Sequence, residues 1–155
     1  MVKILLDDLD RRLLRRLQSD PTMSVADLSD IAGSTPAVVS RRLTRLRDDG
    51  LVLGKEIVID WSKLGYSLEV SLRITLDKTQ SRAFDDFLGA ARFVPQVIEI
   101  QTFLGRVDVR LSVIAKDMSD YQKIYRELIL TLPHIADIEP LMHIARIKFD
   151  VVLPV

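Results

Sequence analysis

Residues 24–54 read SVADLSDIAGSTPAVVSRRLTRLRDDGLVLG, and the order of caps and breakers in this stretch decides the fold of the first third of the chain. Ser24 followed three residues later by Asp27 has the form of a capping box, with a short acid in place of the usual Glu. The helix it opens runs to about residue 32, with Val25, Leu28 and Ile31 expected inside, and Gly33 breaks it. Thr35 then supplies an N-cap hydroxyl ahead of Pro36, whose fixed φ suits the first helical position. The spacing predicts a further helix over residues 36–48 that turns Val39, Leu43 and Leu46 inward. Ser40, Arg41, Thr44, Arg45 and Arg47 are left outside or on the flanks. After Gly50, residues 51–60 (LVLGKEIVID) read as a small hairpin turning near Gly54-Lys55, which sets Lys55 to meet phosphate.

Upstream, Leu9, Leu13, Leu14 and Leu17 recur at helical spacing and predict an amphipathic helix over residues 7–19, ending before Asp20-Pro21. Two short helices joined at a glycine, the second rich in arginine and followed by a hairpin, describe a winged helix-turn-helix. In that motif the second helix enters the major groove of double-stranded DNA, its N-terminal side chains nearest the base edges.

The chain as a whole is neutral, with 22 Lys+Arg against 22 Asp+Glu, which at face value speaks against nucleic acid. By segment the charge is uneven. Residues 34–47 hold Arg41, Arg42, Arg45 and Arg47 and no acid, a window of +4. Phosphate attraction depends on the charges at the contact surface, so a neutral total is compatible with DNA binding. A balanced chain with one basic helix is expected to gain its affinity by pairing several such helices in an oligomer.

Downstream, Tyr66 to Leu76 alternate apolar and polar residues and predict a strand with one buried face. Phe84, Phe87, Leu88 and Ala91 give a helix stripe, and residues 97–104 a second strand. Gly105-Arg-Val-Asp108 is a tight connection to a third strand bearing Val109, Leu111, Val113 and Ala115. Asp117 caps a helix with an inner stripe of Tyr121, Ile124, Tyr125, Leu128 and Leu132, ended by Pro133. A last strand region is expected over residues 138–152, where Pro140 suggests an edge or a bulge. The order β-α-β-β-α-β predicts a ferredoxin-like α+β sandwich of four antiparallel strands with two helices on one face. Its halves echo one another: Val70-Ser-Leu precedes Pro95-Gln-Val by 25 residues, and Val109-Arg-Leu precedes Pro133-His-Ile by 24. The second sheet face, expected to bear Val97, Phe103, Ile114 and Ile144, needs cover, and a partner subunit is the simplest supplier.

Composition narrows the chemistry. With 48% apolar residues in 155, the chain can build a core and is not disordered. It has no cysteine, which excludes disulfides, thiolate zinc sites and thiol catalysis, and only two histidines, so no metal or cofactor is expected. No apolar run approaches the ~18 residues of a membrane helix. The opening MVKILL meets Asp7 and Asp8 too soon for a signal peptide, so a cytoplasmic protein with no membrane partner is expected. Enzyme activity is not expected either. Ser112, His134 and Asp137 have no nucleophile-elbow glycines, and the adjacent pairs Asp48-Asp49 and Asp85-Asp86 diverge by ~100° on a helix.

Three stretches together carry a family resemblance. LDDLDRRLLRRLQSD resembles the first helix of the Lrp/AsnC (leucine-responsive, feast/famine) regulators, and SVADLSDIAGSTPAVVSRRLTRLRDDGLVLG resembles their helix-turn-helix. FLGRVDVRLSVIAKDMSDYQKIYRELILTLPHI resembles the second half of their ligand-sensing domain. The resemblance implies a transcriptional regulator with a DNA-binding domain over residues 1–60, a hinge near 60–65 and a sensing and oligomerisation domain over 66–155, whose dimers assemble into tetramers, octamers or larger rings, with a small effector, commonly an amino acid, held between dimers. Ala37 and Val38 stand where the family usually has small polar residues. They cannot hydrogen-bond a base edge but can touch a thymine methyl. Ser40, Arg41, Arg42 and Arg45 keep the polar and basic character, with Arg41 and Arg45 the leading candidates for groove or phosphate contact. Thr35 is the candidate for a phosphate at the helix N-terminus, and Arg42 has a salt bridge as its alternative role.

The family's effector loop, Gly-x-aromatic-Asp, corresponds to Gly105-Arg106-Val107-Asp108, with Val107 in the aromatic place. Gly105 permits a turn whose N–H groups receive a carboxylate, and Asp108 suits an ammonium, although Asp in such a turn often bonds its own backbone. Arg106 is the main departure, suited to an acidic effector or a cross-link between dimers. Met118, Leu141 and His143 are expected near the same pocket. Two alternatives stand beside the regulator. One is a sirohaem-decarboxylase-like enzyme of the same architecture, which would need an aromatic Trp-Pro-Tyr-Asn-like stretch, whereas the single tryptophan here is Trp61 in the hinge. The other is an assembly partner of a paralogous regulator that does not itself bind DNA.

Overall fold

The computed structural model describes residues 4–145, 147 and 152–155. They divide into two units, one running to Val58 and including the described Val152–Val155, the other Ile59–Ile147.

The first unit is built on three capped helices. α1 (Asp8–Ser19) begins with a capping box: Asp7 accepts from the Asp10 N–H at 2.9 Å, and the Asp10 carboxylate accepts from the Asp7 N–H at 3.2 Å. α2 (Val25–Ala32) repeats the device with Ser24 and Asp27 at 3.1 and 3.3 Å. Gly33, at φ 64°, takes the left-handed conformation that closes α2, a geometry glycine adopts without the Cβ clash other residues meet. α3 (Pro36–Asp48) starts at Thr35, whose Oγ1 accepts from the Val38 N–H at 3.4 Å. Leu13, Leu28, Ala32, Val39 and Leu43 form the core, with Leu9, Leu17 and Met23 packed on it. Each fully buried Leu or Val contributes about 1.5–3 kcal/mol.

Two expectations for this unit are corrected. Val25 and Ile31 are exposed; α2 is only eight residues long and turns Leu28, Ser29 and Ala32 inward instead. The hairpin over residues 51–60 is not formed, since those residues carry no strand in the structure. The Val52 N–H goes back to the Leu46 carbonyl at 3.0 Å, and Leu53 is 94% exposed. A lone two-stranded ribbon with no cover for its apolar face is marginal in water. The tail residues also differ from the sequence-based boundaries. The Leu153 N–H donates to Gln18 Oε1 at 2.6 Å, and the Gln18 amide donates back to the Leu153 carbonyl at 3.3 Å, which places the tail in the first unit.

The second unit opens with a short 3₁₀ turn, Trp61–Leu64, closed by Gly65. There follow β1 (Leu68–Leu76), α4 (Ala83–Ala91), β2 (Val97–Thr102), β3 (Val109–Ala115), α5 (Met118–Ile124) and β4 (Ile135–Met142). The sheet order is β2-β3-β1-β4, all neighbours antiparallel, as expected for a ferredoxin-like sandwich. Val70, Leu72, Ile74 and Leu76 of β1 and Val109, Leu111, Val113 and Ala115 of β3 meet Phe87, Ala91, Tyr121, Ile124 and Ile129 of the helices.

Here too the structure revises details. Ala83 rather than Phe84 faces the core, because α4 starts at Ala83 and buries the 83, 87, 91 stripe. After α5 the chain widens into a π turn, Tyr125–Ile129, with the Leu130 N–H reaching the Tyr125 carbonyl at 2.9 Å. The extra residue in that turn adds Ile129 to the core, while Tyr125 and Leu128 pack against it partly buried, as expected. β2 stops at Thr102, where the Phe103 N–H closes a loop on the Asp108 carbonyl at 2.9 Å. β4 is an edge strand, as Pro140 suggested, but spans Ile135–Met142; the expected extension beyond residue 145 lies largely outside the described residues. Val97 pairs with Val113 and packs on the helix side, and Ile144 lies past the strand, fully exposed. Of the four residues expected on the open face, Ile114 is the clear apolar one, at 7% exposure.

Candidate nucleic-acid interface and effector site

The outer side of α3 carries the candidate DNA contacts. Thr35, Ala37, Ser40 and Arg41 are exposed and Val38 is half-buried. Arg41 and Arg47 have no hydrogen bond or ion pair within the described residues, so their charge faces solvent. Arg42 and Arg45 are different. Arg42 Nη1 lies 2.6 Å from Asp7 Oδ2 and 3.3 Å from Asp10 Oδ1, and Arg45 Nη2 lies 2.5 Å from Asp10 Oδ2. Asp10 itself is 0% exposed. The Asp10 N–H, together with Arg42, holds the Asp7 carboxyl below its ordinary range. Lys55 sits on the exposed irregular segment after α3, and its charge helps depress the Asp20 carboxyl behind the larger effect of Thr22.

Asp10 is the residue that sequence reasoning missed. Its signal was present: it lies three and four residues before Leu13 and Leu14, on the face that helical spacing turns inward, and a buried carboxylate requires a cation.

In the second unit Asp108 is buried at the start of β3. Its Oδ2 accepts from the Leu76 N–H at 2.9 Å and its Oδ1 meets Lys78 Nζ at 2.8 Å. Burial pushes the carboxyl up, but Lys78 and the Leu76 amide outweigh it and hold the group below its ordinary value. Beside this pair opens a cleft of about 600 Å³ lined by Leu76, Phe84, Phe103, Leu104 and Gly105. Arg106 and Val107 border a separate cleft of about 370 Å³ with Arg73, Asp137 and Glu139, and the Arg106 carbonyl accepts from Thr75 Oγ1 at 3.1 Å.

Met118, Leu141 and His143 do not join them. Leu76, near Asp108, pairs with Ile135, whereas Val70 pairs with Met142, and the seven residues of β3 separate Asp108 from the turn into α5. At ~3.3 Å per residue that is about 23 Å. Within one chain the expected effector residues thus fall at opposite ends of the sheet, a separation that the alternating sequence pattern does not encode. His143 is instead 3.3 Å from Glu69 Oε2, and Ser112 Oγ donates to Glu69 Oε1 at 2.6 Å. Arg110–Glu99 at 2.7 Å and Arg73–Glu139 at 3.6 Å add two ion pairs to the same open sheet face.

Three capped helices with a basic second helix of the pair, joined to a ferredoxin-like domain with an effector-type loop, define a two-domain DNA-binding regulator. Comparison with known proteins agrees. Residues 6–52 match the winged helix-turn-helix DNA-binding family and residues 69–153 the Lrp/AsnC ligand binding domain. The DNA-binding transcriptional activator DecR of Escherichia coli K12 is 30% identical over 151 residues, covering 97% of this chain and 99% of that protein. An AsnC family transcriptional regulator from Agrobacterium tumefaciens superposes with a TM-score of 0.85 at 28% identity, covering 96% and 97% of the two chains. A Neisseria meningitidis transcriptional regulator solved with L-Met shares the fold, with a TM-score of 0.88, 23% identity and 97% coverage of both chains. The chain belongs to the Lrp/AsnC family and is a DNA-binding transcriptional regulator of that type. The decarboxylase and assembly-partner readings find no support among these relatives. No helix of the described residues is long and apolar enough to cross a membrane.

Proposed function

We propose that this regulator reads double-stranded DNA with α3 of two or more copies, and that an α-amino acid bound beside Asp108 shifts its assembly. The observation that carries the DNA half is Arg41, exposed near the N-terminal half of α3 and without a protein partner among the described residues. Thr35, Ala37, Val38 and Ser40 line the same exposed turn, with Arg47 and Lys55 adding charge for phosphate. For the effector half, Asp108 and Lys78 form an opposed pair in a cleft of mixed lining, with Phe84, Phe103 and Leu104 beside Gln80, Ser81 and Thr102, which suits an ammonium, a carboxylate and a side chain in turn. The Neisseria regulator of the same fold was solved with L-Met. In this reading the ammonium takes Asp108 from Lys78, and Lys78 receives the carboxylate. Met118, Leu141 and His143, remote from Asp108 in their own chain, contribute only if a neighbouring copy brings them to it. Dimers form through the open sheet face and associate further into tetramers or octamers. The protein acts in the cytoplasm as a regulator and not as an enzyme.

The test is selection of duplex DNA from a random pool at fixed salt, with and without a mixture of the twenty amino acids, with light scattering on the same samples. A selected sequence and an amino-acid-dependent change in mass support the reading. Recovery of no preferred sequence overturns its DNA half, and indifference to every amino acid overturns its effector half.

A further inference from the structure

We propose that Asp10 is the positioning residue of the recognition helix, its buried carboxylate holding the Arg45 and Arg42 guanidiniums so that α3 exchanges general phosphate attraction for sequence discrimination. The inference rests on the reading of α3 as the DNA-contacting helix. Asp10 is on α1, 35 residues before Arg45, and is wholly enclosed. Its two oxygens are shared among the Asp7 N–H, Arg42 Nη1 and Arg45 Nη2. Asp7 closes the group from outside on Arg42 at 2.6 Å.

The consequence is electrostatic and geometric together. Of the four arginines on α3, two are matched by two carboxylates of α1, so the +4 of the sequence becomes about +2 at the surface offered to DNA. Arg42 and Arg45 are then poor at attracting phosphate indiscriminately. Arg45 is nevertheless not consumed: its side chain remains 41% exposed while Nε is buried. A guanidinium anchored along one edge has lost most of its rotamer freedom before DNA arrives, so less is lost when it meets a base edge or phosphate. A lysine on the same stem would keep the charge and lose the fork.

The experiment compares wild type, Asp10→Asn, Arg45→Lys and the double variant, each binding a duplex selected by the wild type and a random duplex of equal length. Affinity is measured across a series of salt concentrations, and circular dichroism verifies the helices. Asp10→Asn keeps the size and the acceptor for the Asp7 N–H but removes the carboxylate that Arg45 pairs with, while Arg42 retains its pair with Asp7. Its expected result is tighter binding to random duplex, a salt slope steeper by about 0.9 for each cation released to phosphate, and a specificity ratio at least about tenfold lower. Arg45→Lys, at a half-exposed position that should not endanger folding, is expected to lose the ratio likewise, with the double variant no worse than either single one. Unchanged slope and ratio in Asp10→Asn, or equal losses on both duplexes at unchanged slope, overturn the proposal and leave Asp10 a packing residue. If Asp10→Asn does not fold, an unchanged ratio in Arg45→Lys overturns it alone. A wild type that selects no sequence overturns this inference and the recognition-helix reading together, whereas a selective wild type with indifferent variants overturns only the role of Asp10.

Discussion

Lys78 Nζ lies 2.8 Å from Asp108 Oδ1, and the other oxygen of that carboxylate accepts the Leu76 N–H at 2.9 Å. Asp108 is thus a clasp joining the end of β1 to the start of β3. Its loss has a defined cost. Asp108→Ala leaves the Leu76 amide without its partner and is expected to destabilise the second unit by about 1–3 kcal/mol near neutrality. The folded carboxyl lies below its ordinary value of 3.8. Its contribution is therefore present above that value and lost as pH falls through the lower folded one. Urea unfolding at pH 7 and pH 3 should show the gap between wild type and variant narrowing in acid, and a gap that is constant with pH would contradict the ion pair.

The same clasp sets the expected effector chemistry. If an amino acid exchanges places with Lys78, its carboxylate is read by that ammonium. Lys78→Gln should then bind an amino acid and the corresponding amino-acid amide almost equally, where the wild type prefers the acid by about tenfold, or ~1.4 kcal/mol. Titration calorimetry with both ligands measures the ratio. A preference for the acid that persists in Lys78→Gln removes the lysine from the site.

Much of this arrangement was legible in the sequence, for reasons that differ by residue. Caps are local, so Ser24, Thr35 and Asp117 announced their helices and stand at the N-caps of α2, α3 and α5. Alternation is local too, and Val70 to Leu76 read directly as a strand with its buried face. What failed was whatever depends on a distant partner. Arg45 looks like a free cation until the fold brings Asp10 of α1 to it, and Asp108 looks like an open effector ligand until Lys78 closes on it. Leu53 and Ile57 read as hairpin residues but find no cover among the described residues. That Met118 and His143 stand at the opposite end of the sheet from Gly105 is not legible, since the sequence gives no measure of which end a residue occupies.

The open sheet face bears on assembly. Ser71, Ser112 and Ile114 are buried on it, its Arg110 and Arg73 are paired with Glu99 and Glu139, and Glu69 is held by Ser112 and His143. A surface that satisfies its own charges can be covered by a second copy without stranding an ion. Ile114→Arg introduces an unmatched cation into that contact and is expected to weaken dimerisation by at least about a hundredfold, some 2–3 kcal/mol. Light scattering at micromolar concentration reads the mass, with circular dichroism as the check on folding. A folded variant that remains dimeric would move the dimer contact elsewhere, and a wild type that is monomeric there would remove the dimer altogether.

The last prediction separates the two kinds of arginine on α3. Arg41 is exposed and unmatched within the described residues, so each copy should neutralise about one phosphate through it. Arg41→Ala is expected to weaken binding to selected DNA by about 1–3 kcal/mol if the guanidinium reaches a base edge. If it reaches only phosphate, selected and random duplexes should weaken alike. In both cases the salt slope should fall by about 0.9 per copy engaged. Arg42 provides the contrast, since its charge is divided between Asp7 and Asp10. Arg42→Ala leaves Asp10 with a weaker cation shell, so it should lower the melting temperature of the first unit more than Arg41→Ala does, while changing the salt slope less. Titrations of both variants at 50 and 200 mM salt, paired with thermal unfolding, distinguish the two. Equal slopes for Arg41→Ala and the wild type would exclude Arg41 from the contact, and a larger slope change in Arg42→Ala would show that the ion pairs with α1 open when DNA binds.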